Sequence, residues 1–270
     1  MELYNGDCLE IMKNLPDNSI DIIIADLPYG RFKHLEWDIK IDFKKLWEQI
    51  WRVSKPTTPI FLFGDFKFAM EIYNSQPKYF KYEIVWNKGI TTTPLLSKKR
   101  FGKATEYILV FYKKQPVYNY AKYHKIIEEN QVCSSMVMGK NNNMYHSKSG
   151  KYEPRLPTNI IDSSYNGVIE WGTKKKNLTH TKIYEPKLPL NVFKCNTKKN
   201  NKIIKKITEK PQAILEHLLK YFSNEGDTCL DFCMGSGSMG VACKSLNRKF
   251  IGIEKNKEFF MITKERLNSL

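Results

Sequence analysis

A chain of 270 residues, 41% hydrophobic and 13% aromatic, can bury the core of one large domain, or of one domain carrying a big insertion. No run of about 18 apolar residues occurs, which excludes a membrane-spanning helix, and Met1-Glu2-Leu3-Tyr4-Asn5 has no basic stretch leading into an apolar one, so a cytoplasmic, reducing setting is expected. The net charge of +16 is unevenly spread: between Lys113 and Lys210, twenty Lys or Arg stand against seven Asp or Glu, a local excess of +13 that suits a polyanionic partner.

The first third alternates strands and helices. Ile20 to Ala25 is a short apolar run, as in a strand covered on both faces. Asp42 to Val53 carries Phe43, Leu46, Trp47, Ile50 and Trp51 at helical spacing, with Asp42 as the N-cap. Thr58 to Gly64 reads as a second buried strand, and Tyr82 to Trp86 and Tyr107 to Tyr112 as two more. From about 113 to 205 the periodicity dissolves, and Asn141-Asn142-Asn143, Lys174-Lys175-Lys176 and Lys198-Lys199-Asn200-Asn201 read as loops. Tyr118, Tyr120, Tyr123, Tyr145, Tyr152, Tyr165 and Trp171 are interleaved with the lysines there. That many aromatic residues argues against a disordered linker and for a small subdomain facing nucleic acid.

Order returns at the end. Pro211 to Phe222 sets Ile214, Leu215, Leu218, Leu219 and Phe222 on one helical face. Thr228 to Phe232 reads as a strand, a glycine-rich turn follows, and a helix starts near Ser238. Phe250 to Glu254 is a further strand and Glu258 to Leu267 a final helix. Such alternation at both ends predicts an α/β fold with a mostly parallel sheet. The six cysteines, at 8, 133, 195, 229, 233 and 243, contain no C-x-x-C pair, so they are read as ordinary thiols and no metal site is expected.

Two patterns carry chemistry. Gly235-Ser236-Gly237-Ser238-Met239-Gly240 fits G-x-G-x-x-G between a strand and a helix, with Glu254 ending the next strand, 19 positions beyond Gly235. Glycines let a ligand approach the backbone closely, and the acid suits the two hydroxyls of a ribose. The pattern alone does not choose the nucleotide. A dinucleotide would lay its pyrophosphate over the helix N-terminus. S-adenosylmethionine would instead bring a cationic amino-acid end, for which Asp231, directly before the turn, is a partner.

The second pattern, Asp26-Leu27-Pro28-Tyr29 after the first apolar strand, resembles the [DNS]-P-P-[YFW] hallmark of the amino-methyltransferases of DNA. Asn5-Gly6-Asp7-Cys8, Lys55-Pro56, Thr105 to Phe111, Glu209-Lys210-Pro211 and Asp231 to Gly237 are similar to other segments of that family. The resemblance covers about 1 to 113 and 205 to 270. The family's usual order is glycine turn, ribose acid, then catalytic loop; here the catalytic loop comes first, so the chain resembles the circularly permuted beta group. It implies a Rossmann-like methyltransferase fold with a mixed, mostly parallel sheet. Residues 1–112 would form the catalytic half, 113–205 a target-recognition insertion coinciding with the +13 stretch, and 206–270 the cofactor-binding half.

The resemblance further implies S-adenosyl-L-methionine as cofactor and methylation of an exocyclic amine in duplex DNA, with the target base flipped out of the helix. The catalytic residues would be Asp26, Leu27, Pro28 and Tyr29. Asp26 and the Leu27 carbonyl would accept the amine hydrogens, and Tyr29 would stack on the base. Asp7 and the Cys8 amide would hold the cofactor adenine and Glu254 its ribose. Gly235, Ser236 and Gly237 would line its methionine end, with Asp231, Phe232 and Lys210 completing the pocket. Leu27 departs from the family's commoner proline, removing one rigid φ from the loop. Asp in the first position favours N6 of adenine, with N4 of cytosine as the alternative. A homodimer and a partner restriction endonuclease are family expectations. Glu106 has no task derivable from sequence and reads equally as a surface strand residue. Arg31, Lys33 and His34 follow the loop and are candidates for phosphate contacts, His34 reading better as a solvated loop residue. An NAD-dependent oxidoreductase would leave Asp26 to Tyr29 unexplained. An RNA or protein methyltransferase has little use for the basic insertion, and a non-catalytic DNA-binding module has none for two ligand-type motifs.

Overall fold

In the computed structural model the described residues are 1–31, 38–88, 99, 103–123 and 209–270, together with the short strands at 125–128, 136–138, 144–146, 151–153 and 160–161. In chain order the elements are β1 (Glu2–Asn5), α1 (Cys8–Met12), β2 (Ile22–Asp26), α2 (Phe43–Val53), β3 (Ile60–Gly64), α3 (Phe66–Ser75), a 3-10 turn (Pro77–Tyr79), β4 (Phe80–Asn87), β5 (Thr105–Phe111) and α4 (Tyr120–Tyr123). Then come β6 (Lys125–Glu128), β7 (Met136–Met138), β8 (Met144–His146), β9 (Lys151–Glu153), β10 (Ile160–Ile161), α5 (Gln212–Phe222), β11 (Thr228–Asp231), α6 (Ser238–Ser245), β12 (Lys249–Glu254) and α7 (Lys257–Asn268). His34 and Lys33, Cys133 and Cys195, and the expected loops around 141, 174 and 198 lie outside the described residues.

One sheet organises the chain, in the order β1-β12-β11-β2-β3-β5-β4-β10. Every pairing in it is parallel except those of β5, which runs antiparallel to β3 and β4. Strands from the end of the sequence, β11 and β12, thus sit between β1 and β2 from its beginning. Period-2 alternation divides the core. Ile23, Ala25, Ile60 and Leu62 face α1, α2 and α3 through Met12, Leu46, Trp47, Ile50, Phe68 and Ile72. Ile22, Ile24, Phe61 and Phe63 face α5, α6 and α7 through Ile214, Leu215, Leu218, Met239, Ala242 and Leu267. Each fully buried Ile, Leu, Phe or Met side chain among them contributes about 1.5–3 kcal/mol. The continuous apolar runs expected to be strands are therefore buried on both faces.

Helix α2 begins where expected, with the Asp42 carboxylate accepting from the Lys44 and Lys45 N–H groups. Helix α3 was not expected, although Asp65 caps it at Phe68 N and buries Phe68, Ala69 and Ile72 at helical spacing. The basic segment starts on the core. The Asn119 N–H donates to Tyr221 O, and its amide to Lys220 O and Ser223 O at the end of α5. Tyr118 lies against Tyr120, Tyr221 and Phe222, and Tyr123 against Tyr221. Tyr118 and Tyr123, expected to face nucleic acid, cover the C-terminal end of α5 instead, because the segment that follows β5 buries its aromatics on the nearest apolar surface, and Tyr120 packs on Tyr118.

Candidate active site

The sheet register brings the chemistry together. Asp26 continues the period-2 series Ile22, Ile24 at the C-terminal end of β2, and so points to the side of the sheet covered by α5. Asp26 pairs with Phe63, which pairs with Ile108, and Glu106 lies two residues along β5 on the same face as Ile108. Lys210, just ahead of α5, reaches both: its Nζ is 2.5 Å from Asp26 Oδ2 and 3.1 Å from Glu106 Oε1. Lys88, beyond the end of β4, stands 2.5 Å from Glu106 Oε2. The Tyr29 hydroxyl donates to Glu106 Oε1 at 3.0 Å. Two carboxylates and two ammonium groups thus balance in a cluster with Glu106 buried and Asp26, Lys88 and Lys210 partly buried. The reading of Glu106 as a surface residue is overturned: it is 5% exposed. Its neighbours in Thr105–Phe111 are mostly apolar, so strand parity alone could not assign it a face.

Burial pushes the Asp26 carboxyl above the ordinary carboxylate range, opposed by the charge of Lys210. Burial acts in the same sense on Glu106, but Lys210 and Lys88 outweigh it and hold that carboxyl down at about 2. Burial works to lower the Lys210 ammonium; Asp26 and Glu106 outweigh it and hold the group above its ordinary value, so it stays protonated. Burial, aided by Asp26 and Glu106, raises the Tyr29 phenol, so it remains a donor. Asp26 Oδ1 is buried and has no hydrogen-bond partner.

The loop after Asp26 is held on both sides. Leu27 is buried, and the Gly30 and Arg31 N–H groups donate to the Asp38 carboxylate at 2.8 and 2.7 Å. Phe68 stacks on Tyr29 at 4.5 Å between centroids, and the Arg31 guanidinium stands 5.2 Å from the Tyr29 centroid. Arg31, considered for phosphate contact, is ion-paired with Asp65, as is Lys103 at 2.9 Å. These two cations and burial act on Asp65 in opposite senses, and the cations prevail, holding its carboxyl well below the usual range.

A cavity of about 270 Å³ runs from this loop to the glycine turn. Asp26, Leu27, Pro28, Asp7, Cys8, Lys210, Asp231, Phe232, Gly235, Ser236 and Glu254 all line it; Tyr29 and Gly237 do not. Gly237 has φ +76° and caps α6, and a Cβ there would fall 2.5 Å from Thr263 Cγ2, so its backbone shape and close packing account for the glycine. Both Glu254 oxygens accept backbone N–H groups, from Gly235 at 3.0 Å and Asn256 at 2.7 Å, and each retains further acceptor capacity on a residue that lines the cavity. Asp7 caps α1 through Leu9 N and pairs with Lys255 at 3.0 Å. Burial raises Asp231 to about 8, against the Cys233 N–H that it accepts and with help from Asp26 and Glu254. The Cys8 thiol meets that of Cys233, and the four described cysteines are free. No group of metal-ligand residues occurs among the described residues.

Two further residues escaped sequence reasoning. Glu209 binds Ser238 Oγ at 3.0 Å and Arg266 at 2.6 Å, tying the segment ahead of α5 to the glycine turn. Arg266 also donates to Ser236 O at 3.0 Å. The family resemblance placed Lys210 with the cofactor pocket. It lines that pocket, yet its ammonium is spent on Asp26 and Glu106.

Comparison with known proteins agrees with this geometry. A family model described as DNA methylase, of the N6/N4 type, matches residues 20–265. The type II methyltransferase M.HpaI of Haemophilus parainfluenzae is 30% identical over 99% of this chain and 74% of its own length. The DNA adenine methyltransferase YhdJ of Escherichia coli is 25% identical over 98% of the chain and 82% of its own. Among solved structures, the M1.HpyAVI–SAM complex superposes with a TM-score of 0.58 at 24% identity, covering 99% of this chain and 98% of that one. Such a likeness speaks for the fold, and the family match, spanning nearly the whole sequence, speaks for its lineage: the chain belongs to the N6/N4 DNA methylase family.

Proposed function

We propose that the protein transfers a methyl group from S-adenosylmethionine to the N6 amine of adenine in duplex DNA. The observation that carries the reading is Asp26 Oδ1, a buried acceptor without a hydrogen-bond partner, on a residue that lines a cavity continuing to the glycine turn and Glu254. The cavity suits this cofactor. Glu254 retains acceptors for a ribose, Asp7 and the Cys8 amide lie at the adenine end, and Gly235 and Ser236 border the methionine end. Asp231, beside them, suits an ammonium group, and Phe232 supplies an apolar wall. When bound, the cofactor supplies a methyl group activated by its sulfonium.

The chain's own residues act on the amine. Its lone pair is delocalised into the base, which makes it a poor nucleophile. Asp26 Oδ1 and the Leu27 carbonyl accept its two hydrogens, favour a tetrahedral nitrogen and so direct the pair toward the methyl group. Lys210 on Oδ2 leaves Oδ1 as the acceptor. Base extrusion costs a few kcal/mol; stacking on Tyr29, in place of the Arg31 guanidinium, offsets about 1–3 kcal/mol of it. The basic segment between Lys113 and Lys210 supplies phosphate contacts and target recognition. Asp as the acid favours adenine, and the adenine methyltransferase among the relatives supports that choice. The chain order, with β11 and β12 between β1 and β2, supports a circular permutation.

The test is transfer of labelled methyl from S-adenosylmethionine to unmethylated genomic DNA, followed by nucleoside digestion and mass analysis. N6-methyladenine is expected from the wild type, and at least about a hundredfold less from Asp26→Ala. N4-methylcytosine would overturn the base assignment, and absence of any DNA product from wild type with bound cofactor would refute the substrate.

A further inference from the structure

Glu106 touches neither half of the cavity, yet it is the point where the two functional ends of the catalytic loop meet. Through Oε1 it accepts from the Tyr29 hydroxyl at 3.0 Å and from the Lys210 ammonium at 3.1 Å, while Lys210 in turn grips Asp26 Oδ2 at 2.5 Å. Through Oε2 it holds Lys88 at 2.5 Å. The Lys210 ammonium lies 5.1 Å from the Phe63 ring centroid and 6.0 Å from that of Trp86, and that of Lys88 lies 4.7 Å from Trp86, so aromatic faces wall in both cations. Such a site has few alternative arrangements: every charge is matched, and moving Glu106 moves both partners at once.

We infer that Glu106 is a positioning residue for methyl transfer, fixing the Asp26 carboxylate through Lys210 and the Tyr29 ring through its hydroxyl, so that acceptor and stacking face keep one mutual geometry. This rests on the function proposed above. Asp26 Oδ2 is occupied by Lys210, so only Oδ1 is presented to the amine. The orientation of that oxygen is set by Lys210, whose own position is set by Glu106. Tyr29, the ring on which the base would rest, is secured by the same carboxylate oxygen. Glu106 therefore acts on the reacting groups without touching them, and a shift of about 1 Å in such groups can cost a hundredfold in rate.

The test separates position from folding and from the underlying reading. The groups facing Asp26 are Lys210, Glu106, Lys88, Asp231 and Tyr29. Glu106→Gln removes a like charge near Asp26 and should move the acid limb of the kcat profile to lower pH. Lys210→Met removes the opposite charge and should move it to higher pH. Opposite displacements are not produced by general destabilisation. Glu106→Gln leaves the partly buried Lys88 ammonium uncompensated, so the charge-balanced Glu106→Gln/Lys88→Met double variant provides the second measurement. It should fold, bind S-adenosylmethionine with wild-type affinity by calorimetry because neither residue lines the cavity, and lose tenfold to a hundredfold in kcat with KM for DNA little changed. Combining Glu106→Ala with Tyr29→Phe should cost less than the sum of the two, since both remove the hydrogen bond from the Tyr29 hydroxyl. Wild-type kcat in the double variant, with an undisplaced acid limb in Glu106→Gln, would overturn the positioning role while leaving the proposed function intact. A wild type that methylates no DNA would overturn that function and the inference with it.

Discussion

Replacing Gly237 by alanine tests whether the glycine turn is held by backbone shape alone or also by packing against α7. The residue has φ +76°, and a Cβ built on it would lie 2.5 Å from Thr263 Cγ2 and 3.4 Å from Thr263 Cβ and Oγ1. Left-handed backbone costs an alanine roughly 1–2 kcal/mol, from which about 0.4–1 kcal/mol is recovered because alanine stiffens the unfolded chain. Overpacking adds about 1–3 kcal/mol. Gly226 is the control, since its φ is +82° and nothing lies within 4 Å of its Cβ position. Gly226→Ala should therefore cost only the backbone part, and Gly237→Ala about 1–3 kcal/mol more. The steric part can be isolated by removing the methyl it meets. Thr263 is fully buried, and its Oγ1 donates to Gly235 O at 2.5 Å, a bond that serine keeps. Urea unfolding of Gly237→Ala, Thr263→Ser and the double variant should give a favourable coupling of about 1–3 kcal/mol. Additive free energies, or equal losses for the two glycine variants, would show that the α7 contact does not constrain the turn.

The remaining predictions concern charge. Asp231 holds its proton to about pH 8 when folded, against an ordinary aspartate value near 4 when unfolded. Between those limits the folded state binds the proton that the unfolded state has lost. Its contribution to stability thus falls as pH rises from about 4 to about 8 and is flat outside that window. Asp231→Asn should remove this slope from unfolding measured across the range, and an unchanged slope would refute the assignment. If the ammonium end of the cofactor docks beside Asp231, binding at pH 7 ionises the carboxyl. Calorimetry in buffers of different ionisation enthalpy should then register proton release, and a buffer-independent enthalpy would count against this docking. Arg248, 8% exposed, donates to the Ser223 hydroxyl at 3.1 Å and to Ser223 O at 2.9 Å beyond the end of α5. Arg248→Met should cost about 2–4 kcal/mol in unfolding free energy by leaving buried acceptors unpaired, with kcat of the surviving enzyme unchanged. Affinity for duplex DNA should fall linearly in log–log terms with salt, by about a thousandfold or more between 50 and 200 mM; a flat response would argue against a phosphate-reading insertion.

Local signals in the sequence determined much of this protein. The apolar runs ending at Asp26, Gly64 and Glu254 are continuous because both faces of their strands are covered, and the structure buries them so. Asp42 and the helical spacing behind it identify α2, and Gly235, Ser236 and Glu254, picked out by the glycine-turn pattern, line the cavity. Asp26-Leu27-Pro28-Tyr29 is legible because adjacent residues carry the pattern, and adjacency is what a sequence records. The cluster behind that loop is not, for Asp26, Lys88, Glu106 and Lys210 come from four segments. They meet only because β5 runs antiparallel beside β3, and because α5 packs on the face that Asp26 shares with Ile22 and Ile24. Tyr118 and Tyr123 show the same limit from the other side, since their composition suited a nucleic-acid surface and their position made them cover for α5. Which charge neutralises which, and which aromatic is left for a ligand, follows from strand order and register, long-range pairings fixed by burial of the whole sheet rather than by any short stretch of chain.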